Sequence, residues 1–525
     1  MVSLVRGVLC SLTIHIHMNW GYLNLASLQA RRGLVSAVLC LGLFPAAAAP
    51  GKPPGTPVEA RLLTPLSSYT ARPGTQVEAM LATPVCPSGE DPLSVGAILR
   101  GSVVKVRRVG LGLLYETATI RLDFRELSFP GGRVYPIQSQ LTGIDNAREH
   151  VDGSGAIRGI RATSAISNRV GERLAFLAMG HPAAMLPLFA IENSMFHFPD
   201  PEIELQRGAD LRLAVEFPPE FGPVSPCAVP EELSDREWTA LHSLVNGLPY
   251  WTYSQRQRQP LDLVNLVYVG SRVEMSRAFT AAGWIGSRPH SMRAGMSVMR
   301  AIAENHALPN APMRTLLLDG APPDLELQKS LDTFEKRDHL RIWARPEILD
   351  GREVWASAAT RDMAAVFSAH PFGFTHQIQD DVDLERDQVV SDLAFTGCVD
   401  SVAYVARPET IRTSGESYRK GIFTDSRVAV VSLNSCETPR EDLSQAGQIA
   451  RPGKLVRWIR RVTLTARNHF LRDNLVWRTG DGIHLAFRTV RGWRQEHENE
   501  RHARALDAKL AARPDLRADF AVSQR

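Results

Sequence analysis

The stretch that decides how this chain folds runs from residue 339 to residue 387. It opens HLRIWARP (339–346), turns at Asp350-Gly351, continues VWASAATRD (354–362) and closes THQIQDDVDLERD (375–387). Residues 339–344 alternate: Leu340 and Ile342 point to one face, and His339, Arg341 and Trp343 to the other, as the period of a strand requires. An Asp-Gly pair supplies the positive φ of a tight hairpin turn, so Val354-Trp355-Ala356 reads as the return strand. A short extended piece after Gly373 carries His376, and after Asp380 the pattern becomes helical to about Phe395.

At about 100° per residue, Val382, Val389, Val390 and Leu393 form one apolar stripe of that helix. Arg386 falls inside the stripe, with Asp383 and Asp387 on its border. A guanidinium stays charged, so burying it demands carboxylate or carbonyl partners. Two readings follow. Arg386 is a structural lock between helix and sheet, or it faces a ligand in a pocket together with His376 and His339.

Toward the N-terminus the chain changes character. Its 525 residues, 44% hydrophobic and 22% charged, suit a globular protein of several domains, and a net charge of +4 is far from a nucleic-acid binder. The first thirty residues carry little pattern. Then Arg31-Arg32, an apolar run from Leu34 to Phe44, and Pro45 with four alanines have the layout of a secretory signal peptide with cleavage near Ala49. The predicted domains are a leader (1–49), a β-rich domain (57–218), an α/β domain (234–440) and a basic helical extension (441–525). Residues 50–57 and 218–230, rich in Pro and Gly, read as linkers.

In the β-rich part, Ile120, Leu122 and Phe124 alternate with Arg121, Asp123 and Arg125. Leu211, Leu213, Val215 and Phe217 repeat the pattern. Short strands punctuated by Gly and Pro predict an all-β barrel or sandwich. The apolar stretch Leu174–Ile191, interrupted by Gly180, Pro182 and Pro187, reads as a buried helical hairpin. GTPVEARL (55–62), RPGTQVEA (72–79), ILRGS (98–102) and IELQRGADLRL (203–213) loosely resemble the β-barrel of type IV secretion channel proteins. That resemblance implies a similar fold in an envelope setting, and no conjugation channel.

In the α/β part, Ser234-Asp235-Arg236-Glu237 and Ser271-Arg272-Val273-Glu274 are capping boxes that open helices. Strands at Leu263–Val269 and Thr315–Leu318 alternate with them, and Arg293–Asn305 is helical in pattern. Gly270-Ser271, at a helix start, has the bare outline of an anion cradle but no phosphate-loop pattern around it. LVNLVYVGS (263–271), AFTAAGW (278–284), HLRIW (339–343), VWASAATRD (354–362) and THQIQDDVDLERD (375–387), in this order, resemble the LssY C-terminal domain over about residues 235–410. In that family the domain often accompanies membrane-embedded segments. The resemblance implies an envelope association and supplies no chemistry. His339, Arg341, Trp343, His376, Asp383, Glu385, Arg386 and Asp387 occupy its motif positions.

There is no G-x-S-x-G elbow, C-x-x-C pair, H-E-x-x-H or phosphate-binding loop. Catalysis, if present, would fall to His339, His376, Asp383 and Arg386, with Arg341, Trp343, Glu385 and Asp387 as binding residues. Two imidazoles and a carboxylate, Asp362, Asp383 or Glu385, could hold zinc. A His–Asp base beside Arg386 could instead attack a phosphate or glycan substrate. Against both stands a protein of the cell envelope or periplasm that uses no cofactor and binds other envelope proteins or surface polymers. Cys86, Cys227, Cys398 and Cys436 follow the leader, and an even count in an exported chain predicts the pairs Cys86–Cys227 and Cys398–Cys436. Residues 451–478 read as a basic amphipathic helix. It either packs Trp458 on its own domain or lies on anionic lipid.

Overall fold

The computed structural model of the chain describes residues 55–471, apart from 83, 88–95, 130–131, 172–195, 223, 227–232, 256–259, 331–335, 369–372, 410–421 and 445–448. The leader, the hairpin expected at 174–191, Cys227 and residues 472–525 lie outside the described residues. Everything described belongs to one compact unit, Pro53–Arg525.

The N-terminal part is a nine-stranded antiparallel sheet curled into a nearly closed barrel. Its order runs Gln138–Ile144, Asp210–Glu216, Thr56–Leu62, Gln76–Leu81, Ile98–Arg107, Thr119–Ser128, Ala156–Arg158 and His150–Val151, with Val134–Pro136 paired beside Thr119–Ser128. Alternation does the sorting: Ile120, Leu122 and Phe124 are buried while Arg121 and Arg125 face out. The interior is one cluster that includes Val58, Leu81, Leu99, Phe124 and Leu213. The register between Ile98–Arg107 and Thr119–Ser128 slips at Arg100/Gly101. A Cβ at Gly101 would fall 2.2 Å from the Asp123 carbonyl oxygen, so only glycine fits where these strands cross closely. The expected linker at 218–230 is instead partly strand: Val224–Pro226 pairs with Val85–Pro87 in a separate two-stranded sheet. The linker at 50–57 likewise ends in structure, since Thr56 and Pro57 begin the first strand. Gly and Pro density marked turns here, not a domain joint.

The second sheet is mixed and eight-stranded, in the order Ile285–Gly286, Leu325–Ser330, Arg337–Leu349, Arg352–Ser368, Leu266–Val269, Arg427–Leu433 and Val399–Ala406, with Gly373–Ile378 also on Arg352–Ser368. The Asp350-Gly351 turn joins its two longest strands, both residues at positive φ (46° and 78°). Helix α1 (Asp235–Gly247) and helix α2 (Arg272–Ala281) each open on a complete capping box. Helix α3 (Met292–Glu304) and helix α4 (Asp383–Thr396) follow, the latter ending on Gly397 at φ 75°. Both faces of the sheet are covered. Tyr268, Leu340 and Ile342 pack with Phe279 of α2 and with Val389 and Leu393 of α4. Val267, Val269 and Trp343 pack on the other side with Leu241 and Val245 of α1. That is why Leu266–Val269 is buried at every position and carries no polar side chain to the surface. Cys398, just past α4, is disulfide-bonded to Cys436, with Cα atoms 4.8 Å apart. Cys86 is also held in a disulfide.

Helix α5 (Lys454–Leu471) returns to the barrel, and it does so the opposite way round from the packing expected for Trp458. Arg460, 1% exposed, is the inward residue. It donates to the Gly110 carbonyl (2.6 Å), to Asp200 (2.7 Å) and to Glu202 (2.8 Å). Leu464 joins the barrel core, while Trp458 stands 54% exposed. A guanidinium with three matched acceptors outcompetes an indole for the interior when those acceptors would otherwise be buried without a cation. Among the described residues no helix is long and apolar enough to cross a membrane.

Candidate functional site

Strand Arg337–Leu349 presents Arg337, His339, Arg341 and Trp343 to the α1 side of the sheet. Each is occupied by the chain itself. His339 sits with Nε2 2.9 Å from an Asp362 oxygen, and Arg337 reaches Asp362 at 3.4 Å and donates to the Gln328 side-chain oxygen at 3.1 Å. Arg341 donates to Asp262 (3.1 Å) and to the Arg314 carbonyl (3.0 Å), and the Trp343 indole N–H donates to the Ala321 carbonyl (3.1 Å). His376 lies on Gly373–Ile378, which flanks the strand Arg352–Ser368 on the side away from His339. The register places His339 opposite Thr360 and His376 opposite Ala365. Five residues of strand separate the two by about 16 Å. The backbone therefore keeps these histidines from sharing a zinc ion, and the pocket expected from His339, His376 and Arg386 does not assemble. Among the described residues no cluster of His, Cys, Asp or Glu is arranged to hold a metal.

Arg386 is 2% exposed. Its Nε donates to Asp387 (2.8 Å), and its Nη1 to Asp425 (2.7 Å), Asp383 (3.3 Å) and the Arg427 carbonyl (3.0 Å). The Tyr404 ring lies under the guanidinium at 5.0 Å. Asp383 and Asp387 belong to α4 itself, and the partners from the sheet, Asp425 and the Arg427 carbonyl, come from the segment entering Arg427–Leu433 rather than from the strands that carry His339 and His376. Asp383 also accepts from the Thr424 hydroxyl (2.9 Å) and the Asp425 N–H (2.5 Å). Burial alone would lower the arginine pKa, but Asp387, Asp425 and Asp383 together raise it. This is an ion lock between helix and sheet.

The other side of α4 holds what the sequence left unseen. Glu385, Gln388, Asp392 and Phe395 lie on one helical face and meet the barrel. Arg61 of the barrel, 1% exposed, bridges Asp210 (2.7 Å) and Asp392 (2.9 Å), with the Phe395 ring at 4.7 Å. Asp392 also takes Lys329 (2.7 Å) and the Trp284 indole N–H (2.9 Å), and Gln388 donates to both Asp210 and Asp392. A second cluster centres on Arg361, which contacts Asp145 of the barrel (2.6 Å), Asp338 (2.6 Å) and Glu385 (3.0 Å). Lys336 is 2.5 Å from Asp145. Burial pushes the Glu385 carboxyl well up, the neighbouring Asp338 adds to it, and Arg361 offsets only part. Asp338 is raised for the same first reason. Asp392 goes the other way, because Lys329 and Arg61 outweigh its burial. A polar row at i, i+3 and i+7 is ordinarily a solvated face, so only a covering domain turns it into a seam.

A cleft of about 230 Å³ opens elsewhere, between the barrel, the end of α3 and the start of α5, and none of the motif residues lines it. Its carboxylates are already matched. Glu304 accepts from Arg300 (3.0 Å) and the His197 N–H (2.9 Å), with His306 at 3.2 Å; Glu204 takes Arg451 (2.7 Å), and Asp200 takes Arg460. Burial opposes ionisation of Glu304, yet hydrogen bonds from His306, His197 N–H and Arg300 bring it down to about 2. A wall of paired ions can seat a polar group but offers no general base.

These features define a mixed-sheet domain clamped by buried ions to a nearly closed β-barrel. Residues 246–427, the bulk of the mixed-sheet part, match the family described as LssY C-terminus. No curated protein matches the sequence.

Proposed function

We propose that this chain is an exported cell-envelope protein whose role is binding or assembly rather than catalysis. One observation carries the reading: His339, Arg341, Glu385 and Arg386 are each 7% exposed or less, and each is engaged by partners within the chain. A hydrolase of phosphate- or glycan-containing substrates needs such side chains converging on an accessible cleft. Here they lock helix to sheet and domain to domain, which favours a rigid body that presents surfaces. Export is supported by the leader pattern and by the Cys398–Cys436 bond, since disulfides persist in oxidising compartments. The partners in this reading are other envelope proteins or surface polymers.

The chain recovered from its native host tests both halves. Mass spectrometry of the N-terminus is expected to find the leader removed near Ala49. Native electrophoresis of an envelope extract is expected to find the chain in a species larger than a single mature chain. An intact chain in the cytoplasm would overturn export. Turnover of bis(p-nitrophenyl) phosphate or a chromogenic glycoside by the pure chain, lost in a folded His339→Ala variant, would overturn the binding reading.

A further inference from the structure

We propose that α5 is a membrane-surface element, held on the barrel by one face and laid on anionic lipid by the other. The proposal deepens the envelope reading above, on which it rests only for which membrane is met.

Three observations carry it. First, the outward face is apolar over about three turns. Leu455 (68% exposed), Trp458 (54%), Val462 (48%) and Ala466 are all in solvent. At about 100° per residue they share an arc of about 80°. Second, the face is held outward rather than frayed. Arg460 and Leu464, on the opposite side, are each 1% exposed, and Arg460 is bonded to Gly110, Asp200 and Glu202. Third, the helix KLVRWIRRVTLTARNHFL contains no carboxylate. Lys454 and Arg461 follow one border of the apolar arc, and Lys454 is exposed.

An apolar arc with a basic border and an indole at its edge is the composition that settles at the boundary of headgroups and acyl chains. The same charges argue against a second copy. An antiparallel two-fold pairing through this face would bring the two basic borders together. A lipid phosphate instead complements them, at about 1 kcal/mol per basic residue, a factor of about five in affinity.

Flotation of the full chain with vesicles tests this. We expect it to float with phosphatidylcholine vesicles that contain phosphatidylglycerol, more weakly as salt rises, and poorly with phosphatidylcholine alone. Leu455→Ser with Trp458→Ser should weaken binding about tenfold or more, and Lys454→Gln about fivefold, each with an unchanged melting temperature. Should the double variant lose its fold, Val462→Glu reads the same face. Failure to float with anionic vesicles, or flotation indifferent to these variants, overturns the proposal. So does a dimer that the variants dissolve while vesicles go unbound. A chain that floats but is found intact in the cytoplasm keeps this proposal and sinks the export reading; an exported chain that never floats does the reverse.

Discussion

Glu385 sets the pH response of the seam. Burial, then the adjacent Asp338, raise its pKa well above the ordinary carboxylate range. The native state therefore keeps a proton that the unfolded chain releases. The associated stability is complete below the unfolded pKa and is lost as pH rises through the folded one. Asp392 and Asp145 are lowered by their cations, so their contribution is present above the usual carboxylate pKa and is lost as pH falls. Urea unfolding across a pH series should thus weaken on both sides. On the alkaline side the slope should be at most about 1.4 kcal/mol per pH unit for one group. Glu385→Gln, which mimics the protonated acid, should flatten the alkaline limb and leave the acid limb in place; an unaltered alkaline limb would place that proton elsewhere. Arg386 behaves differently, since its partners lie within its own domain. Arg386→Ala should cost about 3–5 kcal/mol by stranding Asp425 and Asp383, and Arg386→Lys should recover only part, because a single ammonium cannot reproduce the forked contacts. Arg386 was legible in sequence because a cation stood inside an apolar stripe. Glu385 was named as a binding residue, but its place in the seam was not legible, because it shares Arg361 with Asp145, 240 positions earlier in the chain.

Elements were legible where local chemistry decides them. The capping boxes at Ser234 and Ser271, the Asp350-Gly351 turn and the alternation at 339–344 all appear as structure. Elements whose faces are assigned by distant groups were not. Periodicity found the amphipathic pattern of α5, and the usual rule turned its apolar side inward. The acceptors at Gly110, Asp200 and Glu202 reverse that choice, and nothing within residues 454–471 announces them. Arg460→Met, which keeps the apolar stem and removes the charge, should therefore release the helix. Amide exchange across 454–471 should quicken selectively while the barrel strands keep their protection; uniform loss across the barrel would mean that α5 is integral to that fold. The Cys398–Cys436 bond pins the end of α4 to the segment after Arg427–Leu433 across 38 residues. Removing it should lower the stability of the folded chain by about 3–4 kcal/mol on the loop-entropy account, measured by urea unfolding of Cys398→Ala with Cys436→Ala against the unaltered chain, because reductant would also open the disulfide of Cys86.

At the scale of the whole molecule, composition forecast a barrel followed by an α/β domain but not that the two would be fused by buried charge. A net charge of +4 hides Arg61, Asp210, Asp392, Lys329, Asp145, Lys336 and Arg361 gathered at one seam. Met80, Phe395 and Leu443 add a small apolar contact beside them. Buried pairs are expensive to break because the surviving partner is left charged and desolvated, so the barrel and the mixed sheet should unfold together. The chain carries its own test. None of its nine tryptophans lies between residues 55 and 234, whereas Trp238, Trp251, Trp284, Trp343 and Trp355 all belong to the mixed-sheet part. In a chain otherwise unaltered but with Trp20, Trp458, Trp477 and Trp493 replaced by Phe, tryptophan emission follows the mixed-sheet part alone, and far-ultraviolet circular dichroism follows both. In that chain the two urea transitions should coincide. With Arg61→Ala and Arg361→Ala added, which strands Asp210, Asp392, Asp145, Asp338 and Glu385 without their guanidinium partners, emission should change at a different midpoint from the dichroism as the barrel and its neighbour part company. Separate transitions before the two arginines are replaced, or coincident ones afterwards, would show that the seam does not couple them.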